Sequence, residues 1–125
     1  MRFQVGDGVV DVLVGIDRFE LPITQFLPAA QTGPLEHVRR LLEPDHVELE
    51  RGMLTLAIQT FVLRWAGRTI LIDTCVGEGK ERPLIADWNR RRDTGFLERL
   101  ARAGVQPEAV AAVFCTHLSV APAVR

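Results

Sequence analysis

Several features that would assign a protein to a class are scarce in this sequence. Its two cysteines, Cys75 and Cys115, are too few for a disulfide framework. The 15 basic and 16 acidic residues nearly cancel, giving a formal net charge of −1. A balanced charge gives no electrostatic reason for binding a polyanion. We therefore expect no nucleic acid and no membrane as partner.

Long apolar runs are missing as well. The opening residues, MRFQVGDGVVDV, carry an acid early and lack the apolar stretch of a secretory signal. The longest apolar runs, such as residues 109–115, are far shorter than the ~20 residues that a membrane-spanning helix needs. These absences predict a cytoplasmic protein with reduced thiols.

The residues that are present suit a folded core. A chain of 125 residues fits one domain, and its 47% hydrophobic content argues against disorder. We expect residues 17–28 to be irregular, because Pro22 and Pro28 oppose regular structure. The order of the elements favours a layered α/β or α+β domain. Apolar spacing predicts strands at 9–16, 54–65, 69–72 and 110–116, a turn at Ala66-Gly67, and helices at 34–42 and 95–103.

Local signals refine these elements. Residues 54–65 are apolar at both alternating sets of positions, which predicts a strand covered on both faces. Thr94 and Gly104 are the expected caps of helix 95–103. Residues 110–116 are predicted to form a buried strand. The apolar faces of the two helices are expected to be Leu35, Val38, Leu41 and Leu42 in the first, and Phe96, Leu97, Leu100, Ala101 and Ala103 in the second.

Three segments, in this order, resemble the metallo-β-lactamase superfamily, and more narrowly its lactonase-like bacterial branch. They are LAIQTFVLRWAGRTILIDTCVG, DTGFLERLARAGVQPEAV and AAVFCTHL. In that family the first is a hairpin ending in an aspartate, the second a helix that packs on the sheet, and the third the strand leading into the metal motif T-H-x-H-x-D-H. The FELP and FLPAA stretches also look like this branch. The resemblance covers residues 9–118 and implies the N-terminal half of an αββα sandwich.

The resemblance implies zinc chemistry in intact relatives. Two histidines two residues apart at a strand end can bind one metal, and the Asp-His pair of the motif helps to bind a second. Two metal ions would polarise a carbonyl and lower the pKa of a bridging water. For intact relatives the resemblance implies hydrolysis of lactones or esters. In this sequence His117 stands at the first histidine and Thr116 precedes it. Asp73 matches a family aspartate near the metals.

The sequence departs from the motif directly after His117. Ser119 stands at the second histidine, Ala121 at the aspartate and Pro122 at the third histidine. One histidine cannot supply the three protein ligands that a zinc site needs. We therefore expect that this chain binds no zinc stably. Residues 1–125 are expected to be a partial domain, cut off within the H-x-H-x-D-H motif.

The candidate residues also have structural interpretations. A histidine at a strand end, such as His117, is more often structural than a lone ligand. Asp73 is expected to bond backbone groups after its strand. Cys75, Cys115 and His117 could together form a soft metal site, although a buried free cysteine is the commoner case.

Two further segments are expected to be unrelated to binding. Residues 77–80, with the sequence GEGK, lack the spacing of a phosphate loop and the Ser or Thr after the lysine. The arginine run at 90–92 is expected to be a solvated stretch, given the neutral total charge.

The leading hypothesis is a truncated or degenerate metallo-β-lactamase-fold hydrolase that is inactive alone. Two rivals stay open. One is a non-enzymatic binding module that kept the scaffold and lost the metal. The other is a half-domain completed by another chain. An apolar sheet face left exposed would then lead to self-association.

Overall fold

A computed structural model describes residues 1–30, 32–74, 76–83, 85–92 and 95–117. Six strands form one sheet within these residues. They are β1 (Arg2–Val5), β2 (Gly8–Pro22), β3 (Val47–Glu48), β4 (Met53–Trp65), β5 (Arg68–Ile72) and β6 (Val110–Phe114). The α-helices are α1 (Ile23–Phe26), α2 (Thr32–Glu36), α3 (Arg39–Leu42) and α4 (Phe96–Arg102). Short 3-10 helices lie at Leu49–Arg51, Ala86–Trp88 and Pro107–Ala109. None of the described helices is long and apolar enough to cross a membrane.

The strands lie in the order β1-β2-β4-β5-β6, with β3 paired to β4. The pairs β1–β2, β3–β4 and β4–β5 are antiparallel, whereas β5 and β6 are parallel. A parallel pair needs a long crossover, and the chain between β5 and β6 provides one that contains α4. This mixture of a sheet and a few helices confirms the predicted layered α+β class.

The chain divides into two compact units. The first contains Met1–Ile16 and Ile58–Arg125, and the second contains Asp17–Ala57. The core of the first unit is a cluster of four buried residues from β4, β5, α4 and the turn after α4. They are Val62, Leu71, Leu100 and Val105. The core of the second unit consists of Ile23, Val47 and Leu49, against which Leu35, Leu42 and Leu54 pack.

The strands of the first unit present two different faces, because side chains alternate along a strand. Val62 and Leu71 lie on the face that packs against Leu100 of α4, here called the helix face. The opposite face is here called the open face. Leu63 lies on it, against Gly8, whose partner in β1 is Val5. By register, the open face contains Phe3, Val5, Phe61, Leu63, Trp65, Ile70, Ile72 and Phe114.

Part of the open face is solvent-exposed, although Val10, which lies opposite Phe3, is buried, and Phe61, Leu63, Ile70 and Ile72 are half-buried. Phe3 is 42%, Val5 61%, Trp65 55% and Phe114 59% exposed. Within β4, Phe61 and Leu63 are half-buried on the open face and Trp65 is exposed, so the predicted cover of residues 54–65 on both faces is incomplete at Trp65. Helix α4 lies on the other side of the sheet, and a single helix covers a single face.

The first unit contains two tight turns, whose types are identified by their backbone angles. Gly6 has φ 55° at the first central position of the β1–β2 turn, which is typical of a type II′ hairpin. Sequence analysis did not predict β1. Ala66 and Gly67 have φ 49° and 72°, and positive values at both positions are typical of a type I′ turn. The predicted turn and its two flanking strands are confirmed.

Residues 17–28 are not irregular, so that prediction is wrong. Strand β2 continues to Pro22, and α1 follows directly. Pro22 has φ −56° and ψ 134°, which suits an extended chain, and it occupies the last strand position. A proline disrupts a ladder least at such a position.

The predicted helix at 34–42 is two short helices, α2 and α3, separated at His37-Val38. Leu35 and Leu42 still pack in the core of the second unit. Leu41 is 77% exposed. The break changes the phase of the second helix, so residues that would share one face of a continuous helix no longer do so.

Helix α4 and strand β6 are present as predicted, with two corrections. Gly104 caps α4 with φ 74°, and Val105 N donates to Leu100 O at 3.1 Å, which confirms the glycine cap. Leu97 of the predicted apolar face is exposed. Strand β6 is not buried, because it is the last strand of the described sheet and its Phe114 is exposed. Thr94, the expected N-cap, lies outside the described residues.

Candidate functional site

The candidate site lies where β5 and β6 end. Parallel strands bring their carboxyl ends to the same edge of a sheet, so the residues that follow them become neighbours. Asp73 follows β5, and Asp73 N donates to Phe114 O at 2.8 Å. Thr116 and His117 follow β6 after Cys115. The structure therefore brings Asp73 close to Thr116 and His117, which lie 43 and 44 positions after it in the chain.

Asp73, Thr116 and His117 form one chain of hydrogen bonds. The carboxylate of Asp73 accepts from Thr116 N at 2.9 Å and from Thr116 Oγ1 at 2.7 Å. Thr116 Oγ1 lies 2.8 Å from His117 Nδ1. Because the hydroxyl proton points to Asp73, the oxygen accepts from Nδ1–H. This arrangement favours the tautomer that leaves Nε2 of His117 with a free lone pair.

Electrostatics keeps the Asp73 carboxylate ionised. The hydrogen bond from the Thr116 backbone, followed by that from its hydroxyl, lowers the pKa of Asp73 below its usual value. His117 lowers this pKa further by its charge. Asp73 has φ 54°, a left-handed conformation that aspartate tolerates better than most residues. Both carboxylate oxygens are used to hold the chain segment that carries His117.

Of the remaining candidate residues, only Cys115 lies within the described part of the chain. Cys115 is exposed and has a free thiol. Cys75 and the three motif positions Ser119, Ala121 and Pro122 lie outside the described residues. The soft metal site suggested for Cys75, Cys115 and His117 therefore stays untested.

The two segments expected to be unrelated to binding make local contacts. In the GEGK segment, Gly79 N donates to Arg91 O at 2.7 Å. Arg90 N donates to Lys80 O at 2.7 Å, and the Arg90 side chain pairs with Glu81. These contacts hold the two segments against each other.

The donor set of this site does not fit a zinc ion. His117 offers one nitrogen, and the carboxylate of Asp73 is already bonded to Thr116. Among the described residues, no three His, Cys, Asp or Glu side chains lie close enough together to hold a metal. The sequence positions that would complete the motif carry serine, alanine and proline. Zinc sites in proteins use at least three ligands.

Similarity to known proteins is structural. No model of a protein family matches the chain, and no curated protein sequence matches it. A dizinc quorum-quenching lactonase, AidC, is similar over 94% of this chain and 35% of its own, with a TM-score of 0.62 and 17% identity. The hydrolase AbOPH of the beta lactamase superfamily is also similar over 94% of this chain and 35% of its own, with a TM-score of 0.59 and 22% identity.

The chain has the metallo-β-lactamase fold. It spans 35% of the length of each neighbour and corresponds to the N-terminal part of that fold. The predicted fold is therefore confirmed. At 17% and 22% identity, the similarity concerns the fold alone.

Sequence analysis missed a second group of charged residues, on the helix face. Asp11 accepts from Arg2 Nε at 2.7 Å and from Arg2 Nη2 at 2.9 Å, and it also pairs with Arg64. Arg64 in turn donates to Ala103 O at the end of α4. The signal was present in the sequence, because Asp11 is the only charged residue in the predicted strand 9–16 and Arg64 is the only one in 54–65. A charge at such a position usually has a partner.

Proposed function

We propose that this chain is a degenerate part of a metallo-β-lactamase-fold hydrolase of the lactonase-like branch, and that it does not hydrolyse lactones or esters by itself. The fold supports the hydrolase origin. The observation that carries the proposal is the donor set at the end of β6. His117 is held with its Nε2 available, whereas the following motif positions offer no further histidine or carboxylate.

Zinc content tests the first part of this proposal. After gel filtration of the purified chain, elemental analysis is expected to find far less than one zinc per chain, because one histidine cannot form a zinc site. The His117→Ala variant serves as the control and should have the same low content. About one zinc per chain, retained against a mild chelator and lost in His117→Ala, would contradict the proposal.

Rebuilding the motif tests the second part. The variant Ser119→His, Ala121→Asp, Pro122→His restores the local pattern of ligands. We expect it to gain some metal affinity but no hydrolysis, because the resembling family takes its remaining ligands from further along the fold. Hydrolysis of a lactone or ester by this variant, dependent on added zinc, would show that residues 1–125 contain the whole catalytic apparatus.

A second candidate function is a half-domain that another copy of the chain completes. The open face favours it, since Trp65, Phe114, Phe3 and Val5 are each exposed on this side of the sheet. A second copy that packed on this face would bury them. In the part of the chain that the structure describes, β6 is the last strand of the sheet, and an apolar strand at a sheet edge can pair with a second chain.

Charge placed on the open face tests this second candidate. Light scattering during size exclusion is expected to show that Trp65→Lys and Phe114→Lys shift the chain from oligomer towards monomer. Leu97→Lys is the matched control, because Leu97 is also exposed but lies on α4. An oligomer that persists in both open-face variants would exclude this face as the interface.

A further inference from the structure

The first unit contains an open cleft that the candidate site does not use. Its volume is about 560 Å³, and it lies between the start of β1, the middle of β2 and α4. The charged residues that line it are Arg2, Asp11, Arg99 and Arg102. Asp73, Thr116 and His117 are not among the residues that line it. The cleft is therefore separate from the proposed hydrolase function.

Arginine dominates the charge of this cleft. Three guanidinium groups and one carboxylate line it, together with Met1, which carries the α-amino group, so positive charge is in excess. The carboxylate of Asp11 is already neutralised, because Arg2 donates two hydrogen bonds to it and Arg64 donates a further one. The charge of the whole chain is −1, so this surplus is local.

Two of these arginines have hydrogen-bond donors to spare. Arg99 Nη1 is buried and has no hydrogen-bond acceptor in the part of the chain that the structure describes. Arg102 faces Glu98 at 3.7 Å, which is beyond hydrogen-bond distance. Both arginines line the cleft, and guanidinium groups whose donors lack acceptors favour the approach of an anion.

We propose that this cleft binds a phosphate group, either as inorganic phosphate or as the phosphate monoester of a small molecule. A phosphate dianion suits this excess of positive charge. Guanidinium groups suit phosphate oxygens because they donate parallel hydrogen bonds in a plane. Arg64 holds the cleft in shape, since it bonds both Asp11 on β2 and Ala103 O after α4. Asp11 orients Arg2 at the opposite wall.

Titration of the full chain with inorganic phosphate at constant ionic strength tests this proposal. Isothermal calorimetry or backbone NMR shifts should show saturable binding at about 1 mM or tighter, as expected for a few charge-assisted hydrogen bonds. Glycerol phosphate in a parallel titration distinguishes the two sources. Tighter binding of the monoester assigns the site to an organic phosphate, and equal or weaker binding assigns it to inorganic phosphate.

Matched variants complete the test. Arg99→Gln combined with Arg102→Gln should weaken phosphate binding at least about tenfold, while the exposed Arg102→Gln alone should weaken it about threefold without affecting folding. Arg40→Gln makes the same change of charge on the exposed side of α3 and should leave binding unchanged. The proposal is overturned if binding does not saturate below about 10 mM. It is also overturned if Arg40→Gln weakens binding as much as the double variant.

Discussion

Thr116 connects the Asp73 carboxylate to the His117 imidazole, and the direction of its hydroxyl proton decides the tautomer of His117. Thr116 donates to Asp73, so its oxygen is left to accept from Nδ1–H of His117. Metal-binding histidines are commonly oriented in this way by a hydrogen bond at the other ring nitrogen. Here the orienting contact is present, although the sequence lacks the other ligands of the motif.

The tautomer of His117 is therefore predicted to depend on the Thr116 hydroxyl. Nitrogen-15 NMR of the imidazole at a pH above its titration should show the Nδ1–H form enriched in the original chain and in Thr116→Ser. Thr116→Val, which has a similar shape and no hydroxyl, should lose this enrichment. His37 and His46 serve as internal references. Equal tautomer populations in the Ser and Val variants would contradict the proposed hydrogen-bond direction.

Asp11 predicts how stability responds to acid. Hydrogen bonds from Arg2, together with Arg64, lower its pKa to about 2, against about 3.9 for an unperturbed aspartate. Because this pKa is lower in the folded state, ionised Asp11 makes its full contribution to the free energy of unfolding above about pH 4. That contribution disappears as the pH falls towards 2. Allowing for solvent screening at the exposed Arg2, this contribution is about 1–2 kcal/mol.

The corresponding experiment compares Asp11→Asn with the original chain. The variant should lower the free energy of unfolding by about 1–2 kcal/mol at pH 7. The difference should shrink between about pH 4 and pH 2. Asp17→Asn is the control, because Asp17 is exposed on the same strand and makes no ion pair within the described residues. An acid response in which Asp11→Asn parallels the original chain would contradict the assigned ion pair.

At the scale of secondary-structure elements, the β4–β5 hairpin carries measurable strain. Ala66 has φ 49°, a left-handed conformation that alanine adopts at a cost, whereas asparagine tolerates it better. We predict that Ala66→Asn raises the free energy of unfolding by about 0.5–1 kcal/mol. Urea denaturation at a fixed protein concentration measures the change, because association would otherwise add to the apparent stability.

The neighbouring glycine provides the opposite change. Gly67 has φ 72°, and a Cβ there would meet nothing within 4 Å, so only backbone conformation opposes a side chain. Gly67→Ala should therefore lower the free energy of unfolding by about 1 kcal/mol. If both substitutions shifted stability in the same direction, the turn would not be of type I′.

Elements with strong local signals were predicted well. Strands β4 and β5 follow from apolar alternation around a two-residue turn, and α4 ends at Gly104 as predicted. The prediction of one continuous helix at 34–42 was wrong, because the apolar spacing did not reveal the break at His37-Val38. Such a break depends on how Leu35 and Leu42 reach the core of the second unit.

At the scale of the whole molecule, the open face is predicted to limit stability. Full burial of one large apolar side chain contributes about 1.5–3 kcal/mol, and a whole domain has about 5–15 kcal/mol of net stability. Four side chains that are about half exposed on one face therefore represent roughly 3–6 kcal/mol, which is a large part of that net stability. We predict that the isolated chain is oligomeric, aggregating or loosely packed. A monomer with a sharp thermal transition near ordinary mesophile temperatures would contradict this and would favour a self-sufficient binding module.

The sequence alone determined the features whose causes lie within a few residues. Alternation defined the strands, glycine and alanine defined the turn, and the order of segments indicated the fold. The residues Asp73, Thr116 and His117 were also identified from the sequence, through a resemblance and one at a time. The local chemistry of each residue was enough to suggest a role for it.

Only the tertiary structure decided how these residues work together. The hydrogen bonds between Asp73 and Thr116 span 43 positions and depend on the parallel pairing of β5 with β6, which brings the two strand ends to one edge. The same pairing makes β6 the last strand of the sheet within the described residues, and the position of α4 decides which face of the sheet that helix covers. Apolar alternation shows that a strand has two faces, but it cannot show which face a distant helix will cover.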